Sequence, residues 1–334
     1  MPVRMKDIAR DLGISIVTVS KVLSDHPDIS AETRDRVLKR MKEVNYRPNL
    51  AARALVTGRT YSIGLVVPDL VHPFFGEVAK GMSRVLRKKG YNLVISSSEE
   101  DPELERQEVE QLLARRVDAL IIASAQTNIQ MFRRIEEQKI PYVLVDRKFA
   151  GLSANFAGVD DEAAGRIATE HLISLQRSRI AHIGGPGIST AAGRLAGYRA
   201  ALTAHRIAAN PEFLIVRERG DDSSDRTGYD AMRKLLSLSP PPDAVFCYND
   251  PTAMGAMEAI FERGLRIPED IAIVGCGNVR YAGFLRVPLT TVDQQSEEIG
   301  DRSAKLALAQ IEAKGAGRPK TVLLEPRLIV RQSA

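Results

Sequence analysis

Apolar residues recur at helical spacing on both sides of Gly13, near the start of the chain. The repeating positions are Ile8, Ala9 and Leu12 before the glycine and Val19, Val22 and Leu23 after it. Residues at this spacing share one face of a helix, and glycine accepts the positive φ that a tight reversal requires. With Ser15 as the cap of the second helix, the pattern predicts a helix-turn-helix, whose second helix enters the major groove of DNA. The alternative interpretation is an ordinary helical hairpin within a core.

A third helix is predicted directly after this pair. Ser30 is placed to cap it, and Val37, Met41 and Val44 form its inward stripe. Three helices within about 45 residues make a small domain that depends on the apolar face of the pair for its core. The stretch 49–57 is also helix-prone, but an isolated helix below about 12 residues is marginal. We therefore expect this stretch to fold only against DNA or a second copy of the chain.

The hydrophobic pattern changes at Tyr61, where short continuous apolar runs begin to alternate with helix-period stretches. The predicted strands are 63–67, 93–95, 119–122, 142–145, 180–183, 213–216, 244–247, 271–274, 290–292 and 322–324. The predicted helices are 74–89, 103–115, 129–138, 162–175, 191–205, 225–236, 252–263 and 296–314. Continuous apolar runs are typical of strands buried on both faces, and this alternation predicts parallel sheets. Because the series starts again near residue 162, we predict two α/β lobes with a cleft at the carboxyl ends of their strands.

The net charge of +5 lies entirely on the segment that carries the helical pair. Residues 1–60 contain 12 basic and 7 acidic side chains, whereas residues 61–334 contain 35 of each. Neutralising DNA phosphates requires a cationic excess at the contact surface itself. The charge distribution therefore favours duplex DNA as the partner of the first segment.

The remaining composition excludes several classes of protein. No apolar run approaches the roughly 18 residues of a membrane span. The start of the chain is charged and does not have the apolar region of a secretory signal. Cys247 and Cys276 are too few for a disulfide framework or a zinc site, and we interpret them as buried thiols. We therefore expect a cytoplasmic protein with no membrane partner.

The sequence contains no recognisable catalytic or cofactor-binding constellation. The glycine-rich run 184–187 does not end as a phosphate-binding loop does, and we interpret it as a strand-to-helix turn. The five histidines have no metal-ligand spacing, and His182 is interpreted as a core residue. Asp250 followed by proline is interpreted as a helix N-cap. We therefore expect no enzymatic activity, no cofactor and no metal.

Ten short motifs, spread over the chain, carry a family resemblance. They are 6–9 (KDIA), 13–15 (GIS), 18–23 (TVSKVL), 46–49 (YRPN), 52–55 (ARAL), 63–68 (IGLVVP), 193–198 (GRLAGY), 249–250 (ND), 253–256 (AMGA) and 288–292 (PLTTV). Together they resemble the lac repressor/galactose repressor family of bacterial transcription regulators, in the right order and over essentially the whole chain. The resemblance implies an N-terminal all-α helix-turn-helix headpiece with a hinge helix. An α/β two-lobed core with parallel sheets, like that of periplasmic binding proteins, would follow.

On this resemblance the chain divides into three parts. The expected bounds are 1–47 for the helix-turn-helix domain, 48–60 for the hinge helix and linker, and 61–334 for the effector-binding core. Within the core we expect lobe one at about 61–160 plus 292–320 and lobe two at about 161–290 plus 321–334. The resemblance also implies a homodimer on a near-palindromic double-stranded operator, because a two-fold protein reads two half-sites. A tetramer is left open.

The DNA contacts that the resemblance implies are Ser15, Ile16, Val17, Thr18, Lys21, Ala52 and Leu55. Ile16 and Val17 cannot hydrogen-bond a base edge but can pack against a thymine methyl, and Lys21 can donate to guanine. We therefore predict an operator half-site with T at the Ile16/Val17 contact and G near Lys21. Leu55 matches a leucine that the family inserts into the minor groove, where an apolar wedge kinks DNA. The alternatives are that Ile16 packs on the first helix and that Leu55 packs between hinge and core.

The effector contacts that the resemblance implies are Phe74, Phe75, Asp146, Thr190, Arg194, Asp222, Asn249 and Asn278. An aromatic face can stack on a ligand ring, and the five-donor fork of arginine suits hydroxyls or carboxylates. Gly277 is the main departure, because many sugar- and purine-binding relatives have an aspartate there; Asn278 is the candidate substitute. We favour a carbohydrate or sugar derivative over other small metabolites.

These expectations combine into a ligand-responsive, sequence-specific DNA-binding transcription regulator, a repressor whose operator affinity is set by a small-molecule effector. In this hypothesis the effector closes the cleft and thereby makes the hinge helices form or melt, which requires different affinities for the two states. One rival is a periplasmic-type solute-binding protein, against which the cationic headpiece and the missing signal peptide argue. The other is an enzyme on an α/β scaffold, against which the missing catalytic set argues.

Overall fold

The computed structural model of the protein describes residues 3–23, 26–46, 54, 57–216, 223–313 and 317–334. The chain divides into two compact units, Met1–Thr60 and Tyr61–Ala334. We call the first unit the headpiece and the second the core. None of the helices in the described ranges is both long and apolar enough to cross a membrane.

The headpiece contains the three helices that the sequence predicts. They are α1 (Met5–Leu12), α2 (Ile16–Leu23) and α3 (Ala31–Glu43). The side chain of Ser30 caps α3 by accepting a hydrogen bond of 3.2 Å from the Thr33 N–H. The buried cluster of this unit consists of Ile8, Ala9, Val19, Val22, Val37 and Met41. Most of the predicted hinge helix, at 49–57, lies outside the described residues.

The core consists of two sheets with helices packed on their faces. Its helices are α4 (Pro73–Lys88), α5 (Pro102–Ala114), α6 (Gln130–Glu137), α7 (Asp161–Ser174), α8 (Ser189–Ala204), α9 (Ser224–Leu235), α10 (Asp250–Glu262) and α11 (Ser296–Glu312). Its first sheet contains β1 (Ser62–Val67), β2 (Asn92–Ser97), β3 (Ala119–Ile122), β4 (Tyr142–Val145), β5 (Asn155–Val159) and β11 (Thr321–Leu324). Its second sheet contains β6 (Ile180–Gly184), β7 (Leu214–Val216), β8 (Ala244–Cys247), β9 (Ala272–Cys276), β10 (Thr290–Asp293) and β12 (Arg327–Ile329).

The two sheets have the same topology. The strand orders are β11-β5-β4-β3-β1-β2 and β12-β10-β9-β8-β6-β7. All pairs in the first sheet are parallel, and in the second sheet only β12 runs antiparallel to its neighbour β10. Each sheet is the centre of one lobe, so the two-lobed α/β core with parallel sheets is confirmed. Cys247 and Cys276 are buried free thiols in the second sheet, as interpreted from the sequence.

Two details of the predicted core are wrong. The structure places 321–324 in the first lobe, because β11 pairs with β5 while Val322 and Leu324 pack on the first lobe's core. It also places all of β10 in the second lobe, although the expected boundary fell at residue 292. Both errors lie next to places where the chain crosses from one lobe to the other. The sequence itself does not mark these crossings. The sequence pattern also missed β5 and β12, which are short and contain polar residues or glycine.

The chain passes between the lobes at three neighbouring places. These crossings are at Asp160, at Gln294 and Gln295, and at Glu325 and Pro326. Hydrogen bonds tie the crossings together: Asp160 N–H donates to the Leu324 carbonyl over 3.1 Å, and the Gln295 amide donates to the Glu325 carbonyl over 2.7 Å. A three-stranded hinge of this kind fixes which surfaces of the two lobes face each other.

Three helix pairs in the core cross at reciprocal glycines. A Cβ added at any of these glycines would overlap a backbone carbonyl oxygen of the partner helix. The contacts are Gly81 with Glu297 and Gly300 with Val78 (α4 and α11), Gly165 with Arg194 and Gly197 with Glu162 (α7 and α8), and Gly228 with Thr252 and Gly255 with Asp225 (α9 and α10). Because the helices touch backbone to backbone, their N-terminal residues have little freedom to shift. Those residues supply much of the cleft described below.

Candidate functional site

The turn between α1 and α2 sets the position of the headpiece's exposed face. Gly13 adopts φ 65°, in the left-handed region, and its N–H donates to the Arg10 carbonyl over 3.3 Å. Ser15 then accepts a hydrogen bond of 3.0 Å from the Thr18 N–H, and the Ser15 and Thr18 hydroxyls lie 2.9 Å apart. The predicted cap of the second helix is therefore present, and α2 begins at Ile16.

The first turn of α2 presents apolar side chains to solvent. Ile16 is 49% exposed and Val17 is 63% exposed, and neither belongs to the buried cluster of the headpiece. The alternative that Ile16 packs on α1 therefore has no support in the structure. One turn later, the Lys21 ammonium forms an ion pair of 3.3 Å with Asp28. Ala52 and Leu55, the two predicted hinge contacts, lie outside the described residues.

A cavity of about 80 Å³ lies between the two lobes of the core. We call it the effector cavity. From the first lobe it is lined by Asp69, His72, Phe74, Phe75, Glu100, Asp146 and Arg147, and at the hinge by Gln294. From the second lobe it is lined by Pro186, Arg194, Ser223, Ser224, Tyr248 and Asn249. Five of the predicted effector contacts thus meet in one place, namely Phe74, Phe75, Asp146, Arg194 and Asn249.

The two phenylalanines form the aromatic wall of this cavity. Pro73 occupies the first position of α4, where its fixed φ suits a helix start. Phe74 and Phe75 follow at once and pack edge to face, with ring centroids 5.1 Å apart and planes at 83°. The His72 ring packs edge-on against Phe75 at 5.7 Å.

Arg194 makes three hydrogen bonds from its place in the cavity wall. Its guanidinium donates to Asp161 over 3.0 Å, to the Tyr248 carbonyl over 2.7 Å and to the Gln294 amide oxygen over 2.7 Å. It also lies 4.7 Å from the centroid of the Tyr248 ring. Burial raises the pKa of Asp161 to about 7, and the attraction of Arg194 opposes this rise without cancelling it. The Nη2 of Arg194 also lies 3.0 Å from Asp161, so only one of the five guanidinium N–H groups, on Nη1, is left for a ligand.

Asp146 and Arg147 follow β4 and reach the cavity from the first lobe. Arg147 forms a two-pronged ion pair with Glu100, with distances of 2.8 and 2.6 Å, and also donates to the Ser124 carbonyl. The Asp146 carboxylate accepts no hydrogen bond from the described residues, and its nearest cation is Arg147 Nε at 3.8 Å. Burial raises the pKa of Asp146 above its usual range. A buried acceptor without a donor is a strong position for a ligand hydroxyl.

Asn249 connects the two lobes. Its amide oxygen accepts from the Thr252 N–H over 2.8 Å, which caps α10. Its amide nitrogen lies 3.3 Å from the Ser224 hydroxyl and 3.1 Å from His72 Nε2. Burial lowers the pKa of His72 to about 4, so the ring is neutral at pH 7 and its Nε2 accepts this hydrogen bond.

The predicted N-cap at Asp250 is wrong by one residue. Asn249 occupies the cap, and Asp250 is the first residue of α10. The Asp250 carboxylate instead accepts hydrogen bonds from the Val279 N–H, over 2.8 Å, and from the Thr291 hydroxyl. An asparagine and an aspartate are equally good caps, so the sequence alone does not distinguish the two neighbouring residues.

Two of the predicted effector contacts, Thr190 and Asn278, do not line the cavity, and a third cannot be placed. Thr190 lies one contact behind it, with its hydroxyl 2.8 Å from that of Tyr248. The Asn278 amide oxygen accepts a hydrogen bond of 2.7 Å from Arg331, which engages it elsewhere. Asp222 lies outside the described residues. Gly277 is next to the Asp250 carboxylate and does not line the cavity either.

The sequence did not reveal several lining residues, of which His72, Arg147 and Tyr248 are the most consequential. A usable signal existed for two of them, because Arg147 and Tyr248 lie two residues and one residue after apolar strands that end at the cleft. His72 precedes a proline at a helix start, which is equally typical of a simple cap. Within the described ranges, no group of three or more His, Cys, Asp or Glu side chains is arranged to hold a metal ion.

Comparison with known proteins matches both units of the chain. Residues 4–49 match the model of the bacterial regulatory proteins of the lacI family, and residues 60–330 match that of the periplasmic binding proteins and sugar binding domain of the LacI family. The HTH-type transcriptional repressor PurR of Haemophilus influenzae is 32% identical over 98% of both chains. The ribose operon repressor of the same species is 34% identical over 98% of both.

Solved structures match the fold over its full length. The lac repressor dimer bound to operator and the anti-inducer ONPF has a TM-score of 0.84 at 29% identity, covering 100% of this chain and 99% of that one. The complex of the transcriptional regulator CelR with cellobiose has a TM-score of 0.76 at 29% identity, covering 99% and 100%.

Proposed function

Because the chain belongs to the LacI family of bacterial regulatory proteins, it is a ligand-responsive, DNA-binding transcription regulator, and we propose that its effector is a carbohydrate or sugar derivative bound in the effector cavity. The resemblance seen in the sequence is confirmed, and the relatives named above are repressors. Members of this family bind operator DNA and small-molecule effectors as dimers. The operator DNA that such regulators bind lies in the bacterial cytoplasm, so this chain acts there.

The proposal rests on one observation: five side chains suited to ligand binding, contributed by both lobes, line the same cavity. Phe74 and Phe75 supply an apolar wall, and Asp146 supplies an acceptor without a hydrogen-bond partner among the described residues. Arg194 supplies one unused N–H group, and Asn249 supplies a bridging amide. Sugars combine apolar ring faces with hydroxyls that both donate and accept, and this combination matches such a lining. At about 80 Å³, the cavity is small beside the roughly 300 to 1,000 Å³ usual for ligand pockets. It therefore suits a single sugar ring.

The relatives support the same class of ligand. One of them is a ribose operon repressor, and one matched structure holds cellobiose. The family resemblance also extends to purine-binding relatives, so a nucleobase is the ligand class that the experiment must separate from sugars. Gly277 provides no acceptor in the cavity. Asp146, whose side chain is 10% exposed, is the one carboxylate among the described lining residues that accepts no hydrogen bond from the described residues.

On the DNA side we propose that Ser15, Ile16, Val17, Thr18 and Lys21 form the major-groove contacts. Solvent exposure of Ile16 and Val17 supports this assignment, because their methyl groups remain available for a thymine. Lys21 would exchange its ion pair with Asp28 for a guanine or a phosphate. We retain Ala52 and Leu55 as the proposed minor-groove contacts, on the strength of the sequence match alone. We also retain Thr190, Asp222 and Asn278 as candidate effector contacts on that basis.

A thermal-shift screen with monosaccharides and nucleobases tests the effector class. We expect at least one sugar to raise the melting temperature, since a ligand that binds only the folded state stabilises it. Asp146→Asn keeps the shape of the side chain but removes its charge, and should weaken binding of that sugar by about 10- to 100-fold. Glu258→Gln, at an exposed position of α10, is the matched control. A shift produced by nucleobases alone would overturn the sugar assignment.

The relatives are transcriptional repressors, and we propose that this chain likewise has no catalytic activity. Turnover of any sugar by the purified protein would contradict this. The alternative of a periplasmic-type solute-binding protein is not favoured, because such a protein has no use for the matched DNA-binding unit at residues 4–49.

A further inference from the structure

A second cavity of about 300 Å³ opens between the lobes, directly beside the effector cavity. We call it the side cavity. The first lobe contributes Gln126, Thr127, Arg147 and Lys148 to its lining, and the second lobe contributes Gly187 and Ser189. Arg147 lines both cavities and therefore forms part of the wall between them. The Lys148 N–H donates to the Ser189 hydroxyl over 3.0 Å, so the lobes also touch at this point.

The two cavities differ in charge. The lining of the effector cavity has three carboxyl groups, from Asp69, Glu100 and Asp146, against two guanidinium groups, from Arg147 and Arg194. The described lining of the side cavity contains no carboxyl group, but it contains Arg147 and Lys148. The Lys148 ammonium has no hydrogen-bond or ion-pair partner among the described residues. The charge of Lys148 acts on Asp161 through space, but the hydrogen bond of the Asp161 carboxylate is with Arg194.

Arg147 is only 5% exposed and is incompletely satisfied. Its two terminal nitrogens donate to Glu100 and to the Ser124 carbonyl. Its Nε is buried and makes no hydrogen bond in the described structure, and the nearest carboxylate oxygen, on Asp146, lies 3.8 Å away. A buried donor left unpaired costs roughly 1–3 kcal/mol. A ligand atom that accepts from Nε would remove this cost.

The second lobe adds favourable backbone dipoles. The helix α8 begins at Ser189 and runs for 16 residues, and no side chain caps its N-terminus. The first N–H groups of a helix have no partners within the helix, and they favour negative charge at that end. A negative group in the side cavity would therefore interact with Lys148 from one lobe and with α8 from the other.

We propose that the side cavity binds an anionic substituent of the effector, a phosphate ester on a sugar whose ring occupies the effector cavity. This rests on the proposed sugar-binding function and narrows its ligand to a sugar phosphate. The carboxyl groups of the effector cavity repel a phosphate, whereas the cations of the side cavity attract it. Arg147, shared by both cavities, would contact the ligand where ring and phosphate join.

Calorimetric titrations of the full-length protein at constant ionic strength test the proposal. The probes are D-ribose and D-glucose, D-ribose 5-phosphate and D-glucose 6-phosphate, and inorganic phosphate alone. We expect a phosphorylated sugar to bind roughly tenfold or more tightly than its parent sugar, the scale of one charge-assisted hydrogen bond. Lys148→Gln should remove this gain and leave binding of the parent sugar unchanged. Lys320→Gln, at an exposed position of the same lobe, should leave the gain intact.

Other outcomes separate this proposal from the proposed function. If neither sugar nor sugar phosphate binds, the sugar assignment fails, but binding of inorganic phosphate that Lys148→Gln abolishes would still support the side cavity. Phosphate binding that Lys148→Gln leaves unchanged would indicate an adventitious ion only and would overturn the proposal. A phosphorylated sugar that binds no more tightly than its parent would also overturn it.

Discussion

The headpiece and the core depart from the usual burial pattern in opposite directions. On α2 the apolar Ile16 and Val17 are 49% and 63% exposed, whereas in the cleft the charged Arg147 and Arg194 are only 5% and 2% exposed. Leaving apolar groups in water and burying charges are both unfavourable. The exposed apolar pair therefore indicates a contact that the isolated chain does not contain. The buried arginines are paired with Glu100 and Asp161 inside the core, and they indicate a cleft built to hold polar groups. We assign duplex DNA to the first and the effector to the second.

This difference has a consequence for mutations. A side chain on the exposed face of α2 supports little of the fold, so its removal should change DNA binding and leave stability almost unaltered. A buried charge in the cleft holds other polar groups in place, so its removal should change stability and ligand binding together. The predictions below test this contrast, beginning with the largest effect.

Arg194→Met should lower the free energy of unfolding of the core by roughly 3–5 kcal/mol, the cost of removing one partner from a buried ion pair. Asp161, the Gln294 amide and the Tyr248 carbonyl would each lose a donor. Denaturant unfolding at pH 7 measures the change. Arg199→Met, at an exposed position of the same helix, is the control and should change stability by less than about 0.5 kcal/mol. Equal losses in the two variants would contradict the account.

The buried side chain of His182 should contribute a pH dependence to the stability of the core, in addition to the contributions of His72 and Asp161. This side chain is fully buried, stacks between Tyr198 and Phe246, and has a pKa lowered to about 4 by burial. Below pH 6.5 His182 is protonated in the unfolded chain, whereas in the folded chain it stays neutral down to about pH 4. The contribution of His182 to stability therefore decreases as pH falls through that window. Between pH 7 and pH 5 the contribution is about 2 kcal/mol.

His182→Phe keeps an aromatic ring in the stack and removes the titrating group. Its unfolding free energy should therefore lose about 2 kcal/mol less than the wild type between pH 7 and pH 5. His205→Gln, at an exposed position on the surface, is the control and should follow the wild type. Identical pH dependence in His182→Phe and the wild type would refute this role.

The smallest predicted effect concerns a single methyl group in the operator. An operator is first selected from random duplexes by the full-length protein. Replacing the thymine at the Ile16/Val17 contact with uracil should weaken binding about fourfold, the value of one buried methyl group at about 0.8 kcal/mol. The same replacement outside the half-sites is the control. If no thymine-to-uracil change within the half-site weakens binding, these residues do not read a methyl group.

The sequence predicted elements well wherever one signal determines one element. Ile8, Val19 and their neighbours mark the headpiece helices, and the continuous apolar runs mark most of the core strands, because burial on both faces leaves a direct trace in composition. The strand β5 left no such trace, since Asn155 and Gly158 interrupt it. A local pattern also could not show to which lobe β11 belongs, because its pairing with β5 brings together residues about 165 positions apart.

The candidate site was predicted only in part, for a related reason. Phe74, Asp146 and Arg194 were proposed from the family resemblance, and the structure brings them together. His72 contacts Asn249, and Arg147 pairs with Glu100. Both partners lie on elements far away in the sequence, so no local pattern could predict that these two residues line the cavity. Asn278 shows the converse, because its amide is engaged by Arg331 near the end of the chain. Which polar side chain faces a cavity is decided by tertiary hydrogen bonds.

The central claim is that the headpiece binds DNA and the core reads the effector. Its most direct test is a chain that begins at Tyr61, compared with the full-length protein for retention of the selected operator at physiological salt. We predict that the shortened chain keeps the thermal shift with the identified effector but no longer retains the operator. Operator retention that survives the removal of residues 1–60 would contradict the claim.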